Sequence, residues 1–190
     1  MKRRDLLKIL GMAPAAGVAA AAPVEPPVPG DFNGVPEERS TFSAEQWRII
    51  AAVQDHLLPS EPHNLTAPGA REVRATAYLD RTLAVPGFDP ATRAFILQGV
   101  GWLDDLARER HKTAFPELDP GTREDLLRQT ADSEPGERWL SNLITYTLEA
   151  LLADPLYGGN PGGIGWTWLG HDPGLPRPTP ANIHGRLGRG

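Results

Sequence analysis

Four helix-start signals fall within one stretch of this chain and confine it to a helical fold. Ser43-Ala44-Glu45-Gln46 is a capping box, and Phe42 just before it suits a hydrophobic staple. Asp89-Pro90 and Asp119-Pro120 each set an N-cap carboxylate before a proline whose fixed φ suits the first helical position. The stretch from Ser133 to Gly136 opens a fourth helix. Apolar residues then recur at helical spacing: Trp47, Ile50, Val53 and Leu57; Phe95, Ile96, Val100, Leu103 and Leu106; Leu140, Leu143, Ile144, Thr147, Leu148 and Leu151. Residues 70–83 also read as a helix, with Ala75, Tyr78, Leu79, Thr82 and Leu83 on one face. The helix begun at Asp119-Pro120 is short and runs to about Gln129. Pro59 and Pro86-Gly87 are stops, and Gly99 and Gly101 mark a place where a neighbour approaches closely. No segment alternates as a strand does. The pattern predicts an all-α fold, a small antiparallel bundle of four or five helices with a Gly/Trp-rich irregular C-terminal segment.

The ends are different in kind. A chain of 190 residues suits one domain, and its 20 glycines and 20 prolines imply either a loop-rich chain or irregular ends around a smaller core. Residues 1–22 read as an export signal: a basic start, then a weakly apolar run rich in Ala and Gly that is too short and too interrupted to span a membrane. Arg3-Arg4, followed by Leu6, Leu7 and Lys8, fits a twin-arginine signal, although Lys2 stands where Ser or Thr is commonest. That address implies the twin-arginine translocase as a partner and a location in the periplasm or on the extracytoplasmic face of the inner membrane. Residues 23–41 form a Pro-rich extended lead, residues 42–176 the helical domain and residues 177–190 a flexible tail.

Composition excludes several chemistries. The formal charge is −5, and without residues 1–22 it is −8, from 15 basic and 23 acidic residues, so a general nucleic-acid binder is not expected. With no cysteine there is no disulfide, thiolate nucleophile, Cys-ligated zinc, iron–sulfur cluster or C-x-x-C-H haem attachment. The glycine segment lacks the Gly-Lys-Ser/Thr ending of a phosphate loop. His56, Glu61 and His63 are near one another in sequence, but they lack metal-ligand spacing and read as a helix end and a loop. His171-Asp172 has the residue types for a base and its orienter, yet it precedes Pro173-Gly174 and reads as a turn. No catalytic, cofactor-binding or metal residue is therefore assigned.

The strongest local signal is aromatic: Tyr157, Trp166 and Trp168 among glycines. Two readings stand side by side. The rings cap the bundle, or they form a docking surface, since Trp and Tyr dominate binding hot spots.

Asp154-Pro155-x-Tyr157-Gly158-Gly159-Asn160, with Gly165-Trp166-x-Trp168-Leu169-Gly170, resembles the C-terminal signature of the gluconate 2-dehydrogenase subunit 3 family. Leu57-Leu58-Pro59, Ala67-Pro68-Gly69-Ala70 and Tyr78-Leu79-Asp80 also look like that family. The loop from Glu61 to Thr66 and the inserted Pro161-Gly162 depart from it. The resemblance implies a non-catalytic small subunit of an exported dehydrogenase that acts on a sugar or sugar acid. Its implied partner is a large flavoprotein of the glucose–methanol–choline type that holds FAD, with a haem c cytochrome subunit in some complexes. The implied work of the small subunit is co-export, maturation and stabilisation of the flavoprotein. On this reading Tyr157, Gly158, Gly159, Asn160, Gly165, Trp166, Trp168 and Leu169 bind the partner. The rival expectation is a stand-alone periplasmic helical binding or structural module.

Overall fold

The computed structural model describes residues 39–60 and 67–179. The twin-arginine residues Arg3, Arg4, Leu6, Leu7 and Lys8, most of the Pro-rich lead, and Glu61 and His63 lie outside the described residues. Among the described residues there are six α-helices: α1 (Ala44–Leu57), α2 (Ala75–Ala84), α3 (Pro90–His111), α4 (Pro120–Ala131), α5 (Glu134–Leu152) and the short α6 (Ile164–Leu169). Among the described residues there is no strand, and no helix is long and apolar enough to cross a membrane. The all-α expectation holds.

The starts are built as the sequence says. Ser43 Oγ accepts from the Gln46 amide at 3.1 Å, and the Ser43 amide donates to Gln46 Oε1 at 2.9 Å. Asp89 and Asp119 cap α3 and α4 by accepting the Thr92 and Thr122 amides, at 2.8 and 3.1 Å. Ser133 caps α5 through the Gly136 amide.

Helix α2 is shorter than predicted. Residues 70–74 form a turn instead, closed by Arg74 in the left-handed region (φ 56°) and by a bond from the Ala75 amide to the Ala70 carbonyl. The Val73 carbonyl accepts the Asn160 amide at 3.0 Å. A distant part of the chain thus takes a carbonyl that a continuous helix would have used for itself.

The larger core joins α1, α2, α3, α4 and α5 through buried Ile50, Val53, Leu79, Leu83, Ile96, Leu103, Phe115, Leu126, Trp139 and Leu143. Trp139 is its centre. Its indole nitrogen donates to the Ile96 carbonyl at 2.9 Å, and its ring lies against Gly99 of α3. A smaller cluster under the C-terminal segment gathers Leu58, Ala70, Val73, Ala75, Ala150 and Leu151.

Polar groups set the register. The Gln54 side chain is buried, accepts from Thr76 Oγ1 at 2.8 Å and donates to Thr147 Oγ1 at 3.1 Å, which ties α1 to α2 and α5. The buried Asp80 carboxylate accepts the amides of Ser40, Thr41 and Phe42 at 2.6–2.9 Å. That clamp lays the chain leading into α1 against α2.

The two glycines of α3 separate packing from propensity. A Cβ on Gly99 would overlap the Trp139 indole, whereas a Cβ on Gly101 meets nothing. Gly99→Ala is expected to destabilise the fold by about 1–3 kcal/mol, as overpacked cores do. Gly101→Ala is expected to stabilise it, by up to about 1 kcal/mol of helix propensity. Urea unfolding followed by circular dichroism measures both.

Candidate interaction surface

The segment after α5 is a clasp folded back on the bundle. Asp154 begins it, accepting the Leu156 amide at 3.0 Å at the start of a 3-10 turn (Pro155–Tyr157). Asn160 is the pin. Fully buried and at φ 47°, it donates its amide to the Val73 carbonyl, donates from Nδ2 to the Ala153 carbonyl at 3.0 Å and accepts the Gly165 amide at 2.7 Å. Left-handed backbone of this kind is most accessible to Gly and Asn. Gly159 and Gly165 let the clasp lie directly on the end of α5, because a Cβ at either would press on the carbonyl of Ala150 or Leu151.

Trp166 closes the clasp from inside. Its indole nitrogen donates to the Leu152 carbonyl at 2.7 Å, and only 8% of the residue is exposed. The Arg177 guanidinium lies 4.5 Å from its ring centroid and donates to Asp154 at 2.7 Å. Arg177, the first residue of the predicted tail, is thus held against the clasp. Burial opposes ionisation of Asp154, but hydrogen bonds from Arg177 and the Leu156 amide outweigh it and hold the carboxyl below its usual range.

The structure brings the eight signature residues together, in two roles. Gly159, Asn160, Gly165 and Trp166 are buried and build the clasp. Tyr157, Gly158, Trp168 and Leu169 are half-buried and reach solvent. The capping reading holds for Trp166, which is turned in, while Tyr157 and Trp168 are half-buried, with Trp168 packed against the smaller cluster.

His56 and His171 make structural contacts. His56 pairs with Glu124, joining α1 to α4, and its hydrogen bond is the main reason Glu124 titrates below the usual range. The His171 amide donates to the Trp166 carbonyl at 2.9 Å, and Asp172 accepts the Gly174 amide at 3.1 Å, the turn expected there. Among the described residues no three His, Cys, Asp or Glu converge as a metal site.

Beside the clasp lies an open groove of about 950 Å³ between α2 and α5. Tyr78, Arg81, Thr82 and Val85 line one side; Thr145, Leu148, Glu149 and Leu152 line the other, and Leu156 and Tyr157 close one end. Both sides are i, i+3, i+4, i+7 stripes, and of their residues Tyr78, Thr82 and Leu148 are ones that the sequence pattern places on the inward faces. The Tyr78 hydroxyl donates to Glu149 at 3.2 Å. Burial, then the Glu149 charge and hydrogen bond, push the Tyr78 phenol up to about 12.

The comparisons with known proteins give one match. Residues 44–174 match the family described as Gluconate 2-dehydrogenase subunit 3. No curated protein and no solved structure matches the chain.

The phenol of Tyr78 supplies a pH test. A raised pKa means the neutral form is favoured by the fold. The stabilisation is therefore whole below pH 10, the ordinary tyrosine value, and is lost as pH rises towards about 12. Ultraviolet titration at 295 nm is expected to show a late tyrosinate step that Tyr78→Phe removes, and the variant's stability is expected to fall less between pH 10 and 12.

Proposed function

The chain belongs to the gluconate 2-dehydrogenase subunit 3 family, a subunit family of a dehydrogenase complex, and from that membership we propose a specific role for it. It is the non-catalytic small subunit of an exported dehydrogenase of sugars or sugar acids. Its partner is a glucose–methanol–choline-type flavoprotein that holds FAD, joined in some complexes by a haem c cytochrome subunit. The family match over residues 44–174 carries this reading.

The small subunit travels with the flavoprotein. Arg3-Arg4 addresses both chains to the twin-arginine translocase, which passes folded, cofactor-loaded proteins, and the complex works in the periplasm or on the outer face of the inner membrane. Docking runs through residues 157–169. The buried half of that segment, Asn160 and Trp166 above all, holds the half-buried half in shape. Trp168 and Leu169 then meet the partner as preorganised apolar anchors, which lowers the ordering cost of association.

Tagged chain purified from its host is expected to carry a near-stoichiometric flavoprotein, seen as flavin absorbance. Trp168→Ala is expected to lower the co-purified flavin at least tenfold while leaving the helical circular dichroism intact. Unchanged flavin yield from that variant sets aside the docking surface; a colourless, active preparation without any flavoprotein sets aside the subunit role. Arg3→Lys with Arg4→Lys is expected to keep both chains in the cytoplasm, and export of the flavoprotein alone contradicts shared export.

A further inference from the structure

The groove between α2 and α5 is apolar along most of its length. Val85, Leu148, Leu152 and Leu156 line it together with the rings of Tyr78 and Tyr157, and Leu152 is 47% exposed. Each helical wall covers two turns, about 10 Å at the helical rise per residue. Leu152 also belongs to the clasp: its side chain lines the groove while its carbonyl accepts the Trp166 indole.

The charges on the groove do not balance. Its two carboxylates are engaged, Glu149 by Tyr78 and Asp154 by Arg177. Its cation, Arg81, lies beside Gly158 at the Tyr157 end. Arg81 is exposed and forms no hydrogen bond or ion pair among the described residues. A second guanidinium stands past the other end. Three residues beyond Val85, Phe88 meets Tyr146 with ring centroids 6.5 Å apart, and Arg93 lies 5.9 Å from the Phe88 ring. Arg93 Nε is buried with no hydrogen-bond partner, and Asp89, next to Phe88 in sequence, is engaged by Thr92. On a chain of net charge −5, the groove is apolar between two cations that lack carboxylates.

These features select the occupant. A β-strand laid between two helices finds no sheet edge, so its backbone amides and carbonyls are left without partners, whereas a helix satisfies its own. Walls that repeat at i, i+3, i+4 and i+7 offer grooves to the ridges of a third helix. A second copy is a poor match: in a two-fold contact the patch meets itself, and its carboxylates already have partners. The complementary surface therefore belongs to a different chain that brings acidic side chains. The groove ends at Tyr157, where the clasp segment begins, so one partner can cover both.

We propose that the α2–α5 groove receives an amphipathic helix of the flavoprotein partner, with apolar side chains against Leu148 and Leu152 and a carboxylate paired with Arg81. The inference rests on the dehydrogenase-subunit reading and adds a second contact to it. Docking then has two parts, the clasp face at Trp168 and Leu169 and the groove beside it, both built on the last turns of α5.

The chain has no cysteine, so single introduced cysteines report on the full-length protein and its complex. Thr145→Cys places one on the exposed rim of the groove, and Asp105→Cys places a control on an exposed position of α3. In the complex purified with its flavoprotein, maleimide labelling at position 145 is expected to slow at least tenfold relative to the free chain, and at position 105 to change less than twofold. A photocrosslinking residue at position 145 is expected to capture a flavoprotein peptide whose apolar residues recur at helical spacing beside Asp or Glu. Arg81→Glu is expected to lower the co-purified flavin at least tenfold and Arg81→Lys to retain most of it, both with unchanged helical circular dichroism. A flavin-bearing complex in which position 145 labels as fast as in the free chain overturns the proposal and leaves the subunit reading standing. So does a crosslink to a second copy or to the chain itself, or a flavin yield that Arg81→Glu does not change. A wild-type chain that brings down no flavoprotein fails the subunit reading, and the proposal with it.

Discussion

A buried amide side chain costs about 2–7 kcal/mol when its hydrogen bonds are not replaced. Asn160 is fully buried at the junction of three elements, so its partners are a condition of the fold. Its backbone amide fixes the turn before α2, its Nδ2 fixes the end of α5, and its oxygen fixes the start of α6. Around that pin Trp166 closes on Leu152, Gly159 and Gly165 sit on the last turn of α5, and Arg177 seals the outside against Asp154. The surface that residues 157–169 present is thereby set by contacts within the chain.

The same logic orders the bundle. An all-apolar core of Leu, Ile and Val tolerates several packings. Gln54, wedged between Thr76 and Thr147, and the Trp139 indole, donating to Ile96 across Gly99, each allow one. Asp80 extends the order outward, gathering three amides of the chain ahead of α1. The polar links thus run from the lead, through the bundle, to the clasp.

The helices were legible in the sequence because their causes are local. Ser43, Asp89, Asp119 and Ser133 cap within three residues of themselves, and all four caps are present. The close approach at Gly99 was legible too, although its neighbour Gly101, of the same type, meets nothing. What escaped is non-local. Residues 70–74 have helical composition, but Asn160 takes the Val73 carbonyl from far along the chain. Which of the clasp aromatics turns inward depends on the Leu152 carbonyl that Trp166 reaches, which no spacing rule reports. The groove was hidden differently: its stripes at 78, 81, 82, 85 and 145, 148, 149, 152 are written in the sequence, yet the same period describes a core face. The family signature was legible as a set, but its division into buried and half-buried residues needed coordinates.

The central claim is that the clasp is formed before the partner arrives and presents Trp168 and Leu169 to it. Hydrogen exchange by mass spectrometry, on the free chain and on the complex purified with the flavoprotein, tests that most directly. The account predicts that the amides of Asn160 and Gly165 are protected in both states, and that residues 166–170 gain protection only in the complex. A clasp that exchanges freely until the partner binds, or one whose exchange is the same in both states, would contradict it.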